Sequence, residues 1–423
     1  MRDNKLHTPD GVKDFLPGEA ARKQSVERKI EYVFTGYGYE RIVSPMFEYL
    51  EVFEGKGGVS RSEMYSFLDR DGSVLALRTE MTPVAARIAA TSYSKDDIPL
   101  RFCYIENAFR YNEKYQGKLK EFTQAGIELI GADGSDADAE AVAVAVNSLV
   151  AAGLADFRIN VGQAGFINGI LAETGLDADL RERLRGFIIQ REFTAADELV
   201  RNSSVPDGVR AVIGELPLMI GGTEILDFAG GFVTNGASLA ALDELRRINE
   251  ILGCYGVGGY VSFDLSMIGF LDYYNGIIFE GYARGSGETL ISGGRYDGLS
   301  GMFGADYPAV GFAIKINEIV SALGRQRKDE TDNLIVRTLA AFSGNGKKNA
   351  LLASDGLRMQ GLCVENSLCG DDLETNIGYA RKRGIGGVLF FTDSGDVIAA
   401  DVLTGNRRTV KIEEILGKGG VTE

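Results

Sequence analysis

The sequence predicts an α+β chain: an antiparallel sheet flanked by helices, carrying a helical insertion and followed by a small C-terminal α/β domain. Three observations predict it. Residues 99–111 and 120–131 read as strands joined by a polar loop, the stretch from about 167 to 252 is strongly helical between strand-like flanks, and residues 334–423 alternate strand and helix.

Taken in order, residues 18–35 place Val26, Ile30, Val33 and Phe34 at helical spacing, and Gly36-Tyr37-Gly38 ends the run. Pro45 and Pro83 interrupt helix in their neighbourhoods, and the hairpin candidate follows. Residues 136–152 form an alanine- and valine-rich helix whose Asp136, Asp138 and Glu140 suit the positive end of its dipole. Their spacing is similar to a calcium loop, but Ala141 stands where glycine is needed and no glutamate follows in register. A strand over 157–161 leads into the helical block, where Thr194 is a capping candidate. Strand-like sequence returns over 259–295, including 271–279, and a helix from about 309 to 323 closes a domain spanning 1–325. A polar linker, 324–333, precedes the C-terminal domain, 334–423, with strands at 334–341 and 387–392 and helices at about 347–360 and 372–383. Ser343-Gly344-Asn345-Gly346-Lys347-Lys348 lacks the glycine spacing and the hydroxyl residue of a phosphate loop, so it reads as a turn.

The chain has 423 residues, 45% apolar and 25% charged, enough for roughly two to three ordinary domains. Its 45 Lys+Arg against 60 Asp+Glu give a net charge of −15, which disfavours a nonspecific hold on nucleic acid or acidic membranes. The charged first thirty residues lack an apolar leader core, and no run approaches the ~18 apolar residues of a membrane helix, so a cytoplasmic address is expected. Cys103, Cys254, Cys363 and Cys369 have no metal or disulfide spacing and are expected to be buried free thiols. His7 is the single histidine, so Ser-His-Asp, Cys-His and multi-histidine metal chemistry are unavailable unless it serves alone; it sits in a polar arm. No metal or cofactor is expected.

The segment most able to carry chemistry is the second hairpin strand. Alternation places Ala125, Ile127 and Leu129 on a core face and Phe122, Gln124, Gly126, Glu128 and Ile130 on the other. There, two polar side chains flank a glycine, as though the backbone were cleared for something lying across it. Gln124 and Glu128 are about 13 Å apart at ~3.3 Å per residue, a gap that one amino acid hydrogen-bonded at both ends would fill. Leu77-Arg78-Thr79-Glu80-Met81-Thr82-Pro83 offers another carboxylate and hydroxyl beside a helix start, and Ser292-Gly293-Gly294-Arg295-Tyr296-Asp297-Gly298 puts a cation and a phenol in a turn. Arg295 is either a turn-bracing ion-pair partner or a ligand contact.

Phe109-Arg110, Gly117-Lys118-Leu119-Lys120-Glu121-Phe122-Thr123-Gln124, Leu271-Asp272-Tyr273-Tyr274 and Gly293-Gly294-Arg295-Tyr296-Asp297-Gly298 are similar, in that order, to the motifs of histidyl-tRNA synthetases. Residues 8–17 and 38–45 resemble that family's start and its dimer-forming first motif. The resemblance covers nearly the whole chain and implies a class II aminoacyl-tRNA synthetase-like sheet. It also implies a histidine-binding set of Glu80, Thr82, Arg110, Gln124, Glu128, Tyr273, Tyr274 and Tyr296. In that set Glu80 and Gln124 face the α-amino end, Thr82 and Arg110 lie nearby, and Glu128 with Tyr274 faces the imidazole.

Two departures bear on function. Gly269 and Glu318 stand where synthetases carry arginines for amino-acid activation and for ATP, and Arg110-Tyr111-Asn112-Glu113 loses further charge. Adenylate formation needs preorganised cations, so ATP chemistry is expected to be severely impaired unless Lys118 or Lys315 compensates. A histidine site without its catalytic cations resembles the regulatory subunits of ATP phosphoribosyltransferase more closely. That resemblance implies a chain with no catalytic residue, dimeric within a hetero-oligomer. It would activate a short-form catalytic subunit in the first step of histidine biosynthesis and help confer feedback inhibition by histidine. The 334–423 segment resembles an anticodon-binding domain without a dense basic patch, so tRNA is not an expected partner. The alternatives are an active histidyl-tRNA synthetase, a free-standing histidine sensor, or an aminoacylating enzyme for an unusual acceptor.

Overall fold

The structure, a computed structural model, describes residues 4–54, 58–111, 119–268, 273–326 and 337–416. Two compact units, Met1–Lys328 and Asp329–Glu423, divide the chain. The first is built on a nine-stranded sheet. Across it lie Glu40–Arg41, Leu100–Phe109, Glu121–Ile130, Ala309–Lys315, Ile291–Arg295, Ile277–Ala283, Phe157–Gln163, Val261–Asp264 and Ile220–Gly221. Neighbours are antiparallel except at Glu40–Arg41 on Leu100–Phe109 and Phe157–Gln163 on Val261–Asp264.

The hairpin forms as expected, with Leu100 opposite Ile130 and Phe109 opposite Glu121. Its period-2 pattern works as read: Ala125, Ile127 and Leu129 enter the main core under helices Pro17–Gly36 and Ser135–Ala152, while Gln124 and Glu128 share the opposite face. Those two polar side chains are nonetheless buried, at 6% and 0% exposure, so this face is covered rather than solvated.

Several expected elements differ. Residues 309–315 form a strand, and the helix begins only at Ile316, running to Gln326. Strand neighbours on both sides, Glu121–Ile130 and Ile291–Arg295, decide this. Val310, Phe312 and Ile314 alternate into the core while small Ala309, Gly311 and Ala313 line the pocket side, so tertiary pairing overrides alanine's helix propensity. Thr194 lies inside helix Phe193–Arg201, whose cap residue is Glu192. The helical block holds six helices between Ala164 and Cys254, but Ile220–Gly221 adds a strand to the large sheet through Val261–Asp264. The strand expected over 271–279 begins at Ile277; residues 269–272 lie outside the described residues, as do 112–118 and 327–336, while 324–326, the start of the linker expected over 324–333, end helix Ile316–Gln326.

Asp138 does more than suit a helix dipole: it is fully buried and ion-paired to Arg295, 2.7 Å away. The thiols are free, but only Cys103 is buried; Cys254 and Cys363 are exposed and Cys369 is half-buried. His7 is exposed.

A separate three-stranded sheet, Phe47–Tyr49, Val74–Leu77 and Ser66–Leu68, leaves Phe47, Tyr49 and Leu68 exposed at 51%, 58% and 74%. The second unit is a five-stranded sheet ordered Cys363–Asn366, Arg337–Phe342, Gly387–Phe391, Val397–Asp401 and Arg407–Val410, with helices Lys347–Met359 and Leu373–Lys382 packed on it. In its glycine turn the Asn345 amide donates to Asp393 at 2.5 Å, so a carboxylate already occupies a place a phosphate would need. Among the described residues, no helix is long and apolar enough to cross a membrane.

Candidate functional site

The pocket lies on the open face of the nine-stranded sheet, where the hairpin, the start of helix Thr82–Ser92 and the turn after Ile291–Arg295 converge. Glu128 is its buried centre. One carboxylate oxygen accepts hydrogen bonds from the Thr82 hydroxyl at 2.8 Å and the Tyr104 phenol at 3.2 Å; the other accepts from the Tyr296 phenol. Burial pushes Glu128 up to about 7, and the three hydroxyls oppose that shift. The phenols of Tyr104 and Tyr296 are raised well above their ordinary value by burial and by Glu128, so they stay protonated and act as donors.

Two glycines make this geometry possible. A Cβ on Gly126 would overlap the Tyr104 hydroxyl, and one on Gly311 would overlap a Glu128 carboxylate oxygen. Gly126 therefore clears the strand for Tyr104, its register partner across the hairpin. A tyrosine of this protein, rather than a ligand, lies across that glycine. Tyr104 was not singled out from the sequence. The available signal was the pairing register, which puts a phenol opposite the gap between Gln124 and Glu128.

The other end of the pocket is built around Glu80. Its carboxylate is 8% exposed, lies 3.6 Å from the Arg110 guanidinium and accepts from the Tyr273 phenol at 3.3 Å. Burial raises Glu80 above the usual carboxylate range, with Arg110 and Tyr273 pulling it down. Arg110 is itself aimed by donating to the Thr79 carbonyl at 3.1 Å. Tyr274 lies on the sheet against Gly294, where a Cβ would collide with its ring, and packs edge-on to Tyr273 with centroids 4.8 Å apart. Two buried polar atoms, Gln124 Oε1 and Thr79 Oγ1, have no hydrogen-bond partner. Buried acceptors are normally satisfied, so the unmatched amide oxygen of Gln124, on the same strand face as Glu128, marks a place for a hydrogen-bond donor.

The fold thus links Glu80, Thr82, Arg110, Glu128, Tyr273, Tyr274 and Tyr296 in one cluster, with Thr82 at the Glu128 end, while Gln124 lies on the same strand face four residues from Glu128. Arg295 takes the bracing role, donating to Asp138 from Nε at 3.0 Å and from a terminal nitrogen at 2.7 Å, and to Asp297 at 3.1 Å.

The cations and polar groups of the flanking strands and of the helix after Lys315 are engaged by other side chains. Arg78 is buried and held by Glu106 at 2.7 Å and the Ser44 carbonyl at 2.9 Å. Asn107 donates to Glu121 at 2.8 Å and accepts from Thr123 at 2.8 Å, while the Thr123 amide donates to Asn317 at 3.0 Å. Lys315 pairs with Glu288 at 3.8 Å and donates to Thr289 at 3.1 Å. Glu318 sits half-buried in the first turn of its helix. Gly269 and Lys118 fall outside the described residues.

Comparison with known proteins places this arrangement. Residues 11–319 match the family model described as histidyl-tRNA synthetase. An ATP phosphoribosyltransferase regulatory subunit from Acetivibrio thermocellus is 40% identical over 417 residues, covering 98% of this chain and 100% of that one. The chain belongs to the family of ATP phosphoribosyltransferase regulatory subunits. A further member of that family, from Geobacter sulfurreducens, is 34% identical over 380 residues, 89% of this chain and 86% of its own. The crystal structure of an ATP phosphoribosyltransferase regulatory subunit/histidyl-tRNA synthetase from Bacillus halodurans superposes with a TM-score of 0.83 at 29% identity, covering 93% of this chain and 100% of that one. Histidyl-tRNA synthetase from Nostoc has the same fold, with a TM-score of 0.82 at 21% identity over 97% of this chain and 98% of its own. The large sheet is therefore a class II synthetase-like sheet in a regulatory-subunit family.

Proposed function

We propose that this chain is the non-catalytic subunit of a glycosyltransferase complex, ATP phosphoribosyltransferase, in the first step of histidine biosynthesis. It binds free histidine between Glu80 and Glu128, activates a short-form catalytic subunit and helps confer feedback inhibition. One observation carries this reading. A buried cluster holds the acids Glu80 and Glu128, while Lys315 is engaged by Glu288 and Thr289 and the first turn of the following helix carries the acidic Glu318. The α-ammonium would meet Glu80, the α-carboxylate Arg110, and the imidazole Glu128, with Gln124 Oε1 accepting a further N–H. Regulation requires histidine to favour one state of the assembly by ~1–3 kcal/mol, since equal affinity for both states shifts nothing.

Self-association fits the exposed apolar face of the small sheet, where Phe47, Tyr49 and Phe67 cluster and the Phe47 and Phe67 rings meet edge-on at 6.1 Å. A second copy is the occupant we assign to it, within a hetero-oligomer in the cytoplasm. The test is reconstitution. Mixing this chain with a short catalytic subunit should restore phosphoribosyl transfer from phosphoribosyl pyrophosphate to ATP and make it histidine-sensitive. Histidine-dependent pyrophosphate exchange by this chain alone would establish a synthetase instead.

A further inference from the structure

The pocket holds more negative charge and more hydrogen-bond acceptors than its own residues match. Glu80 and Glu128 are both buried, and among the described residues a single cation, Arg110, pairs with either of them, 3.6 Å from Glu80. Around Glu128 every element packed against it contributes a neutral group. Helix Thr82–Ser92 gives the Thr82 hydroxyl, strand Leu100–Phe109 gives Tyr104, the turn after Ile291–Arg295 gives Tyr296, and strand Ala309–Lys315 gives the bare backbone of Gly311. The other charged or titratable groups acting on Glu128 or its partners are Glu80, Tyr273 and Tyr274, and none of them is a cation. A buried carboxylate without a cation is costly enough either to take up a proton or to recruit a positive guest.

The hydrogen-bond count points the same way. A carboxylate offers about four lone-pair sites, and three hydroxyls already fill three of those on Glu128. One site remains, for a donor. Gln124 Oε1, four residues away on the same strand face, is a separate buried acceptor, suited to the α-ammonium rather than the ring. A neutral imidazole brings one N–H and one bare nitrogen, whereas an imidazolium brings two N–H groups and a charge.

Resting on the histidine reading above, we propose that the pocket binds histidine as its imidazolium, paired with the Glu128 carboxylate, so that binding moves protons with a sign that depends on pH. In the complex one proton resides on the ring and none on Glu128. In the free components the balance differs. Burial lifts empty Glu128 to about 7, and an imidazole in water titrates near ~6.5. At pH 8 both are mostly deprotonated before they meet, so forming the ion pair takes up close to one proton from solvent. At pH 6 both are mostly protonated, so forming it releases a proton in part. The count crosses zero near pH ~6.8, midway between the two values, and affinity is greatest there.

The experiment is calorimetric titration of the full chain with free histidine at pH 6 and pH 8, each in two buffers of different ionisation enthalpy. The expected result is net proton uptake at pH 8, release at pH 6, and little exchange near neutrality. A triazole analogue of histidine, whose ring stays neutral in this range, should bind at least tenfold more weakly at pH 7. Glu128→Gln should bind histidine more weakly and take up no proton at pH 8. Equal proton counts at pH 6 and pH 8, or a triazole analogue binding as tightly as histidine, would overturn the ion-pair proposal while leaving the histidine site standing. No histidine binding at any pH would overturn both.

Discussion

Arg295 holds Asp138 with two donors on one oxygen, Nε at 3.0 Å and a terminal nitrogen at 2.7 Å, and both side chains are almost wholly removed from water. The pair ties the sheet strand Ile291–Arg295 to helix Ser135–Ala152. It also sets the pocket, because the residue after Arg295 is Tyr296, whose phenol donates to Glu128. Burial pushes Asp138 up to about 7 despite the guanidinium, and Glu244 on helix Gly236–Cys254 adds to the rise.

Removing the cation from such a pair leaves a buried acid without compensation, which typically costs about 3–5 kcal/mol. Arg295→Met should therefore lower the melting temperature markedly and weaken histidine binding through Tyr296. Asp138→Asn should cost less, because Arg295 keeps Asp297 at 3.1 Å and Asp133 at 3.5 Å. Denaturant melts of the two variants check the order; equal losses would contradict it.

The glycine beneath Glu128 is the sharper probe of the pocket. A Cβ on Gly311 would overlap both the carboxylate of Glu128 and the backbone oxygen of Ile127, so Gly311→Ala must push the acid off its hydroxyl donors. Overpacking of this kind costs about 1–3 kcal/mol. Glu128→Ala removes the acid outright and should lower histidine affinity by roughly 1.5–3 kcal/mol, about 10- to 150-fold. Titration of both variants should show weakened binding, with Gly311→Ala destabilised as well. Unaltered affinity in Glu128→Ala would mean that the ligand does not sit on this strand.

The same acid makes stability depend on pH. Glu128 lies at about 7 when folded against an ordinary 4.5, so between those values the folded chain holds a proton that the unfolded chain has lost. Its contribution is intact below about pH 4.5 and disappears as pH rises through about 7, a loss on the order of 3 kcal/mol. Asp138, raised to about 7, acts in the same direction. Glu128→Gln should thus melt higher than the parent at pH 8 and lose that advantage by pH 5. Thermal melts without histidine across this range check it; a difference that stays constant with pH would refute it.

What could be read beforehand, and what could not, follows from range. The face of Gln124 and Glu128 was legible because a strand with one apolar and one polar side writes them into alternate residues, and motif order gathered Glu80, Arg110 and Tyr296 that are far apart in the chain. The segment 309–315 misled because alanine and glycine on its pocket side dilute the alternation, and only strand neighbours contributed by distant sequence settle it as sheet. Asp138 looked like a dipole residue because its partner, Arg295, is 157 positions away. Tyr104 was hidden for a related reason: its role depends on cross-strand register with Gly126, which neither strand states alone.

The proposed loss of adenylate chemistry makes the last prediction a negative one. Introducing a single cation by Glu318→Arg places a guanidinium in the first turn of helix Ile316–Gln326, the positive end of that helix dipole. The preceding residue, Asn317, accepts from the Thr123 amide, and Thr123 leads on to Asn107 and Glu121, a network that contains no cation. Lys315 remains held by Glu288 and Thr289, and Gly269 still supplies no charge. Phosphoryl transition states are stabilised by several preorganised donors acting together, each worth a few kcal/mol, so one added arginine recovers little. Histidine-dependent pyrophosphate exchange should stay undetectable in both the parent chain and Glu318→Arg. Robust exchange in the variant would show that Glu318 alone had switched the chemistry off.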